Sequence, residues 1–199
     1  LSAIRHAAGL LKEDARDSMS AKLTRIIEDN VVRLNGLVED VLALNRRDRM
    51  KRGEIDLGTF LPAFVEGYMQ RDGLPAGIMT LDMAQSAQIC FDSGHLEQIL
   101  WNLLRNAWRY CLRKPGSIQI RLNAGSGRVE IEVINDGPGI TPEVQAHLFE
   151  PFYTTDNQGT GLGLYIAREL AEANNALLRY VDVPGGALFR MRCQLPPCQ

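Results

Sequence analysis

The sequence predicts an α+β protein in two parts: a helical hairpin over residues 1–52, then a two-layer α/β sandwich over residues 53–199. Three observations predict this fold class. Residues 1–50 contain no proline and only two glycines, whereas every proline and most glycines come later. Apolar residues recur at helical spacing in the first part. In the second part, stretches with alternating apolar and polar residues, typical of strands, lie between helical stretches.

The hairpin part carries the spacing of a coiled coil. Over residues 22–47, apolar residues recur at alternating steps of four and three, and Asn30 lies within this seam, where a polar group fixes register and partner number. The first helix, over residues 1–15, is too short to cover the seam. We therefore expect residues 1–50 to form a homodimer, as a four-helix bundle, and we expect further residues to precede Leu1. The alternative is that the second helix packs within its own domain. The seam consists of Leu23, Ile27, Asn30, Leu34, Leu37, Val41 and Leu44.

The second part alternates helix and strand signals. Asp92 or Ser93 supplies N-cap chemistry for its longest helix. One sheet with helices on one face is the architecture that this order favours. The predicted helices cover residues 58–68, 94–111 and 163–173, and the predicted strands cover residues 79–81, 88–91, 118–122, 129–133, 177–181 and 188–195.

Charge and hydropathy exclude two classes of protein. The chain has 22 basic and 24 acidic side chains, a formal charge of -2, so no basic field indicates nucleic-acid binding. No apolar run approaches the roughly 20 residues of a membrane span. The chain begins at Leu1 rather than Met, and we expect it to be part of a longer protein.

The helix over residues 94–111 is the first candidate site. At 100° per residue its apolar side chains share one arc, and the opposite arc carries Asn102 and Asn106 one turn apart. Amide oxygens suit a hard Mg²⁺ ion, and Arg109 one turn further on suits a phosphate. Tyr110 lies at the edge of this arc. A solvated helix face is the alternative interpretation.

Two glycine-rich stretches follow. Asn135-Asp136-Gly137-Pro138-Gly139-Ile140 ends a strand in a turn where glycine permits close approach of a ligand to the backbone, although an ordinary hairpin turn is the alternative. Gly159-Thr160-Gly161-Leu162-Gly163-Leu164 precedes a helix and presents backbone N–H groups at its positive end, a site for phosphate. It matches neither the Rossmann fingerprint nor a Walker A loop.

Taken in order, the polar helix face, the DGPGI turn, the FEPFYTT segment and the GTGLGL loop resemble the N, G1, F and G2 boxes of sensor histidine kinases. That ATP-binding domain is shared with gyrase, Hsp90 and MutL. The chain is most similar to the NtrB/PilS group, over essentially its whole length. The resemblance implies a two-component transmitter fragment of the histidine-kinase ATPase type.

The resemblance assigns residue roles. Asn106 takes the place of the Mg²⁺ ligand with Asn102 beside it, Arg109 that of a basic residue near the phosphates, and Tyr110 that of the aromatic in the adenine pocket. Residues 150–160 correspond to a flexible ATP lid. The remaining ATP-binding residues implied are Asn135, Asp136, Gly137, Gly139, Ile140, Gly159, Thr160, Gly161, Leu162, Gly163 and Leu164.

Two departures from the family pattern matter. The phosphorylated histidine of the family aligns upstream of Leu1, so no catalytic histidine is expected in this chain; His6 lacks the following acid and proline, and His95 and His147 are interpreted as structural. Asn135 stands where the family has the adenine-binding aspartate. Strand parity places it on the inward side with Val133.

The implied protein binds Mg²⁺ and ATP, phosphorylates that upstream histidine, and passes the phosphoryl group to a response regulator of the sigma-54 activator type. This fragment alone is not expected to phosphorylate itself. It is expected to be a cytoplasmic domain of a protein anchored upstream in the inner membrane. The alternatives are a gyrase- or Hsp90-like ATPase and a nucleotide-gated module that binds a regulator. In those ATPases a glutamate four residues before the Mg²⁺ asparagine activates water; here Asn102 stands there and cannot act as a base.

Overall fold

A computed structural model describes residues 24, 26, 27, 30, 31, 34, 36, 38, 50–125, 127–156 and 159–195. The described residues from Thr24 to Val38 are helical, as predicted for the second helix. All three described seam positions, Ile27, Asn30 and Leu34, are exposed. Asn30 Nδ2 donates a hydrogen bond to the carbonyl of Ile26 at 2.8 Å. The first predicted helix and the remaining seam positions lie outside the described residues.

The predicted α/β sandwich is confirmed. A five-stranded sheet packs against helices on one face, and a separate two-stranded ribbon lies beside them. The strands are β1 (Arg52–Asp56), β2 (Met79–Met83), β3 (Gln88–Asp92), β4 (Ile118–Gly125), β5 (Arg128–Asn135), β6 (Leu177–Val183) and β7 (Gly186–Gln194). The helices are α1 (Leu57–Asp72), α2 (Ser93–Tyr110), α3 (Pro142–His147) and α4 (Gly163–Ala173).

The five strands run in the order β2-β4-β5-β7-β6. Only the β2–β4 pair is parallel; the other three pairs are antiparallel. Asn135, the last residue of β5, lies opposite Ile118 on β4 and Ala187 on β7. The end of β5 therefore lies between β4 and β7, where the side chain of Asn135 is shielded from solvent.

The core forms between the inward side of the sheet and the helices. Strand alternation buries every second residue of β4 and β5, and α2 and α4 bury an apolar stripe. Each fully buried large aliphatic side chain contributes about 1.5–3 kcal/mol to stability. The buried sheet residues are Ile118, Ile120, Leu122, Val129, Ile131 and Val133; those of α2 are Leu96, Ile99, Leu100, Leu103, Leu104 and Ala107.

The opposite face of the sheet carries ion pairs. Glu132 on β5 is 2% exposed and accepts from Arg190 Nη2 at 2.7 Å and from Arg121 Nη1 at 3.4 Å. These arginines belong to the two strands that flank β5. Since a buried carboxylate is costly without partners, the paired charges explain how β5 carries an acid at a buried position.

Hydrogen bonds connect the start of α2 to Lys51, which precedes β1, and to Asn174 at the end of α4. Asp92 caps α2 by accepting from the backbone N–H of His95 at 3.0 Å, and it also accepts from the N–H of Lys51 at 2.6 Å. Burial raises the pKa of Asp92, but these hydrogen bonds outweigh it and hold the pKa below its usual value. Asn174, the C-cap of α4, accepts from the N–H of Asp92 and contacts the ring of His95.

Two features differ from the sequence expectation. A single sheet was expected, whereas β3 pairs with β1 in a ribbon of its own, so the predicted join near residues 52–53 falls within β1. α3 was not predicted, because six residues are too few to show a helical period. No helix among the described residues is long and apolar enough to cross a membrane.

Candidate functional site

A cavity of about 300 Å³ opens between α2, the segment from β5 to α3, and the glycine-rich segment before α4. All three stretches that the sequence singled out contribute to it. The lining residues are Asn102, Arg105, Asn106, Arg109, Tyr110, Asn135, Pro138, Gly139, Ile140, Thr141, Val144, Leu148, Tyr153, Thr154, Thr155, Gly159, Thr160, Gly161, Gly163, Leu164 and Ala187.

The polar face of α2 forms one wall. Asn102, Arg105, Asn106, Arg109 and Tyr110 all line the cavity. Asn102 is 3% exposed, and among the described residues neither its Nδ2 nor its Oδ1 has a hydrogen-bond partner. A buried amide without partners costs free energy, which a polar ligand in the cavity can offset.

The end of β5 supplies a second buried amide. Asn135 is 3% exposed, as strand parity predicts, and its Nδ2 finds no hydrogen-bond partner within the described part of the chain. Its side chain lines the cavity together with Ala187, its neighbour on β7. Asn135 is therefore a buried polar group available to a ligand.

Asp136 points elsewhere. Its Oδ1 accepts from the backbone N–H of Leu112 at 2.9 Å, and its Oδ2 accepts from Ser117 Oγ at 2.8 Å. The carboxylate thus holds the connection between α2 and β4, and it does not line the cavity. Asp136 was predicted among the ATP-binding residues; the structure gives it a structural contact instead.

Gly137 permits the close approach of β5 to α2. A Cβ at this position would collide with the backbone carbonyl oxygen of Tyr110 and lie 2.8 Å from Asn135 Nδ2. Because the obstacle is backbone, no side chain fits without moving the end of α2. Gly137 is needed beside the cavity although it does not line it.

The glycine-rich segment before α4 also depends on close packing. Gly161 has φ of 72°, and a Cβ there would lie 2.5 Å from the carbonyl carbon of Phe152. Gly163 begins α4 next to Asn102 and Arg105. Leu162 between them is buried in the core rather than in the cavity wall. The loop therefore presents its glycine backbone, together with Thr160 and Leu164, to the cavity near the positive end of α4.

Arg109 pairs with an acid of the same region. Its Nε lies 3.1 Å from Asp156 Oδ2, and both side chains are partly exposed. Thr154 Oγ1 accepts from the N–H of Asp156 at 3.1 Å, which positions this acid. A carboxylate thus pairs with the arginine that the sequence assigned to phosphate, although Asp156 itself does not line the cavity.

The chemistry of the lining is divided between its segments. The segment from β5 to Leu148 contributes mainly apolar groups, with Asn135 and Thr141 as its polar side chains. In contrast, α2 and residues 153–155 and 159–161 contribute arginines, hydroxyls and glycine backbone. Apolar residues on one wall and cations on another suit a ligand with a flat apolar part and an anionic part. The apolar set comprises Pro138, Ile140, Val144, Leu148 and Ala187.

Of the predicted site residues, all but Asp136, Gly137 and Leu162 line the cavity. Sequence reasoning did not include Val144 and Ala187. Val144 belongs to the unpredicted α3, and Ala187 reaches the site through the pairing of β7 with β5, so no local pattern marks either residue. Arg105 shares the polar arc of α2 and could have been found from the helical period.

The residues present fit a nucleotide with a divalent cation better than a metal held by protein alone. Among the described residues, no group of three or more His, Cys, Asp or Glu could hold a metal ion. The site offers instead the orphaned amide of Asn102, Asn106 one turn along, and a glycine-lined backbone. Mg²⁺ in nucleotide sites is commonly held in this way, by few protein ligands and by substrate phosphates.

Residues 91–197 match the family described as histidine kinase-, DNA gyrase B-, and HSP90-like ATPase. The chain belongs to this family and, within it, to the sensor histidine kinases of two-component systems. The fold class and the family that the sequence motifs predicted are both confirmed.

Individual relatives are similar over nearly the whole chain. Sensor protein kinase PilS of Pseudomonas aeruginosa is 39% identical over 96% of this chain, and sensor histidine kinase ZraS of Klebsiella oxytoca is 30% identical over 87%. The chain spans only 37% and 38% of the lengths of these two relatives.

Solved structures share the fold. Full-length ShkA in complex with AMPPNP has a TM-score of 0.69 at 27% identity, covering 96% of this chain and 42% of that one. Histidine kinase ThkA in complex with response regulator TrrA has a TM-score of 0.71 at 22% identity, covering 98% and 57%.

Proposed function

We propose that this chain is the transmitter portion of a sensor histidine kinase that binds Mg²⁺ and ATP, phosphorylates a histidine upstream of Leu1, and passes the phosphoryl group to a response regulator. The observation that carries the proposal is one cavity in which two buried amides, two arginines and a glycine-lined backbone converge; within the described part of the chain, both amide atoms of Asn102 and the Nδ2 of Asn135 lack hydrogen-bond partners. This donor set matches a nucleoside triphosphate.

Each wall of the cavity has a role in this proposal. The apolar wall and Asn135 receive the base, which Tyr110 flanks. Arg105, Arg109 and the N–H groups before α4 neutralise the phosphates. Phosphoryl transfer needs positioning and charge neutralisation more than covalent chemistry from the protein, and these groups supply both.

Asn106 is the proposed Mg²⁺ ligand, with Asn102 beside it. Both amides lie on the cavity side of α2, one turn apart. Bound there, Mg²⁺ neutralises charge on the phosphate oxygens. The buried, unpartnered amide of Asn102 holds the neighbouring position without a charge, so it cannot act as a base that activates water.

The relatives support this proposal. PilS and ZraS are described as a sensor protein kinase and a sensor histidine kinase, and ShkA was solved with AMPPNP, an ATP analogue. The further elements of the proposal are a response regulator of the sigma-54 activator type, a homodimer through residues 1–50, and a cytoplasmic position in a protein anchored upstream in the inner membrane.

The test compares two chains in [γ-³²P]ATP: this one, and a longer one that includes the residues preceding Leu1. We expect both to bind ATP, and only the longer one to retain an acid-labile, base-stable label. Asn106→Ala in the longer chain should lose the label while its thermal unfolding stays cooperative. Steady release of phosphate without protein label would instead indicate a gyrase-like ATPase, and ATP binding with neither outcome would indicate a nucleotide-gated module.

A further inference from the structure

Asn135 offers an uncharged amide at the apolar wall of the cavity. It is 3% exposed, its Nδ2 has no partner among the described residues, and the pairing of its strand with Ile118 on β4 and Ala187 on β7 fixes its position. Ile140 and Ala187 line the cavity without polar side-chain atoms. Among the lining residues from β5 to Leu148, the polar side chains are the amide of Asn135 and the hydroxyl of Thr141, and neither is charged.

The neighbouring carboxylate cannot take over this contact. Both oxygens of Asp136 accept hydrogen bonds, from the N–H of Leu112 and the hydroxyl of Ser117, and none of these three residues lines the cavity. Turning Asp136 toward the cavity would leave a buried hydroxyl and a backbone N–H without their acceptor. The end of β5 therefore presents the amide of Asn135 to a ligand, and no carboxylate.

An amide and a carboxylate differ in what they recognise. A carboxylate only accepts hydrogen bonds, whereas an amide donates through nitrogen and accepts through oxygen, and turning its plane by about 180° exchanges the two. The pairing edge of a 6-aminopurine presents a donor at position 6 and an acceptor at N1. That of a 6-oxopurine presents an acceptor at position 6 and a donor at N1. An amide complements either edge.

We propose that Asn135 makes the nucleotide site permissive at position 6 of the purine, so that the chain binds 6-oxopurine nucleoside triphosphates about as well as ATP. This inference rests on the proposed nucleotide binding and names its substrate class. Gly137 contributes by leaving space beside Asn135 Nδ2, since a Cβ at 137 would lie 2.8 Å from that atom. No side chain of residue 137 therefore restricts the amide plane of Asn135.

The test is calorimetric titration of this chain with Mg²⁺ and ATP, inosine triphosphate or GTP. Inosine triphosphate differs from ATP only at position 6 and N1, so it isolates the contact, and GTP adds the 2-amino group. We expect the dissociation constants of ATP and inosine triphosphate to agree within about fivefold, the effect of one neutral hydrogen bond. In Asn135→Asp, the dissociation constant of inosine triphosphate divided by that of ATP should be at least about tenfold larger than in the original chain. The reason is that a charged acceptor binds the 6-amino group of ATP more strongly, whereas it faces the 6-oxo oxygen without a hydrogen bond.

Two further variants keep the test decisive. Asn135→Ser keeps a group that both donates and accepts, and should leave the ratio near that of the original chain. Asp136→Asn makes the same acid–amide exchange one residue away, outside the cavity, and should lower the melting temperature without changing the ratio. Thermal unfolding of every variant shows whether it folds.

The outcomes separate this inference from the proposed function. If ATP binds and inosine triphosphate binds more than about twentyfold more weakly, or if Asn135→Asp and Asn135→Ser both fold and leave the ratio unchanged, Asn135 does not read position 6 and the inference is wrong. If no nucleotide binds to the folded chain, the proposed function is wrong and the inference with it.

Discussion

At the scale of single residues, the site is defined by polar groups that the fold leaves without partners. Asn102 and Asn135 are both buried at 3% exposure, yet each has amide atoms with no partner among the described residues. An unpartnered buried amide costs about 1–3 kcal/mol. Such a cost is retained where a ligand supplies the missing hydrogen bonds.

Asn102→Leu tests this interpretation. Leucine has the branching of asparagine without its polar atoms, so we expect the ligand-free domain to gain about 1 kcal/mol in free energy of unfolding after some packing cost. ATP affinity should fall because the amide beside Asn106 is lost. Urea unfolding and calorimetric ATP titration measure the two effects. A variant that is less stable and binds ATP unchanged would show that Asn102 serves packing alone.

At the scale of elements, the cavity depends on how the glycine-rich segment lies against α2. Gly159 and Gly163 pack next to Arg109 and Arg105, and Gly161 packs on the backbone of Phe152. The Arg109–Asp156 ion pair joins the same two elements. An anion that enters the cavity therefore meets Asp156 as a competitor for Arg109.

Asp156→Asn is expected to increase ATP affinity by about two- to tenfold. The change removes the charge that competes for Arg109 and that repels phosphate; a partly exposed pair contributes only about 0.2–1 kcal/mol, so stability should change little. Titration at low and at high salt measures the effect, which should shrink as salt rises. Glu97→Gln, the same loss of charge at an exposed position of α2 outside the cavity, is the matched control. Weaker ATP binding in Asp156→Asn would contradict the competition.

The cap of α2 predicts a pH dependence. Hydrogen bonds hold the pKa of Asp92 below 3.8, so its contribution to stability is present above that pH and is lost as pH falls through the lower, folded-state pKa. Asp92→Ala should cost about 1 kcal/mol at pH 7, and the difference from the original chain should narrow below pH 3.8. Urea unfolding across pH 2.5–7 checks this. Asp56→Ala, at the exposed cap of α1, should lower the free energy of unfolding by less than Asp92→Ala does. If the difference in stability between Asp92→Ala and the original chain were the same at every pH, the proposed role of the Asp92 charge would be wrong.

At the scale of the whole molecule, the N-terminal helix presents apolar side chains that the sandwich does not cover. Ile27 and Leu34 are seven residues apart, hence on one helix face, and they are 39% and 48% exposed. A Cβ built at Gly36 of the same helix would lie 3.4 Å from the methyl group of Thr160. The helix thus passes close to the glycine-rich segment and leaves Ile27 and Leu34 of its seam exposed.

We expect sedimentation of the 199-residue chain at micromolar concentration to show a dimer or a reversible monomer–dimer mixture. Burial of the seam drives this association, so Leu34→Glu should shift the mixture toward monomer. Leu112→Glu, at an apolar position 55% exposed on the sandwich, should leave it unchanged. A chain that is monomeric at all concentrations would contradict the homodimer.

The sequence by itself determined the parts that depend on local periodicity. The apolar stripe of α2, the alternation in β4 and β5, and the start of α4 at Gly163 follow from spacing of 3.6 or 2 residues, and they place Asn102, Asn106 and Asn135 facing inward or toward the cavity. The order of the polar helix face, the two glycine motifs and the FEPFYTT segment was sufficient to identify the family.

The tertiary structure decided what depends on contacts between distant segments. The β1–β3 ribbon, the place of Ala187 beside Asn135, and the engagement of Asp136 by Ser117 all join segments that no local pattern connects. Likewise, only packing shows that the amide of Asn102 lacks a partner among the described residues. A residue's spacing determines which way it faces, but what it meets there depends on strand pairing and helix packing over long sequence separations.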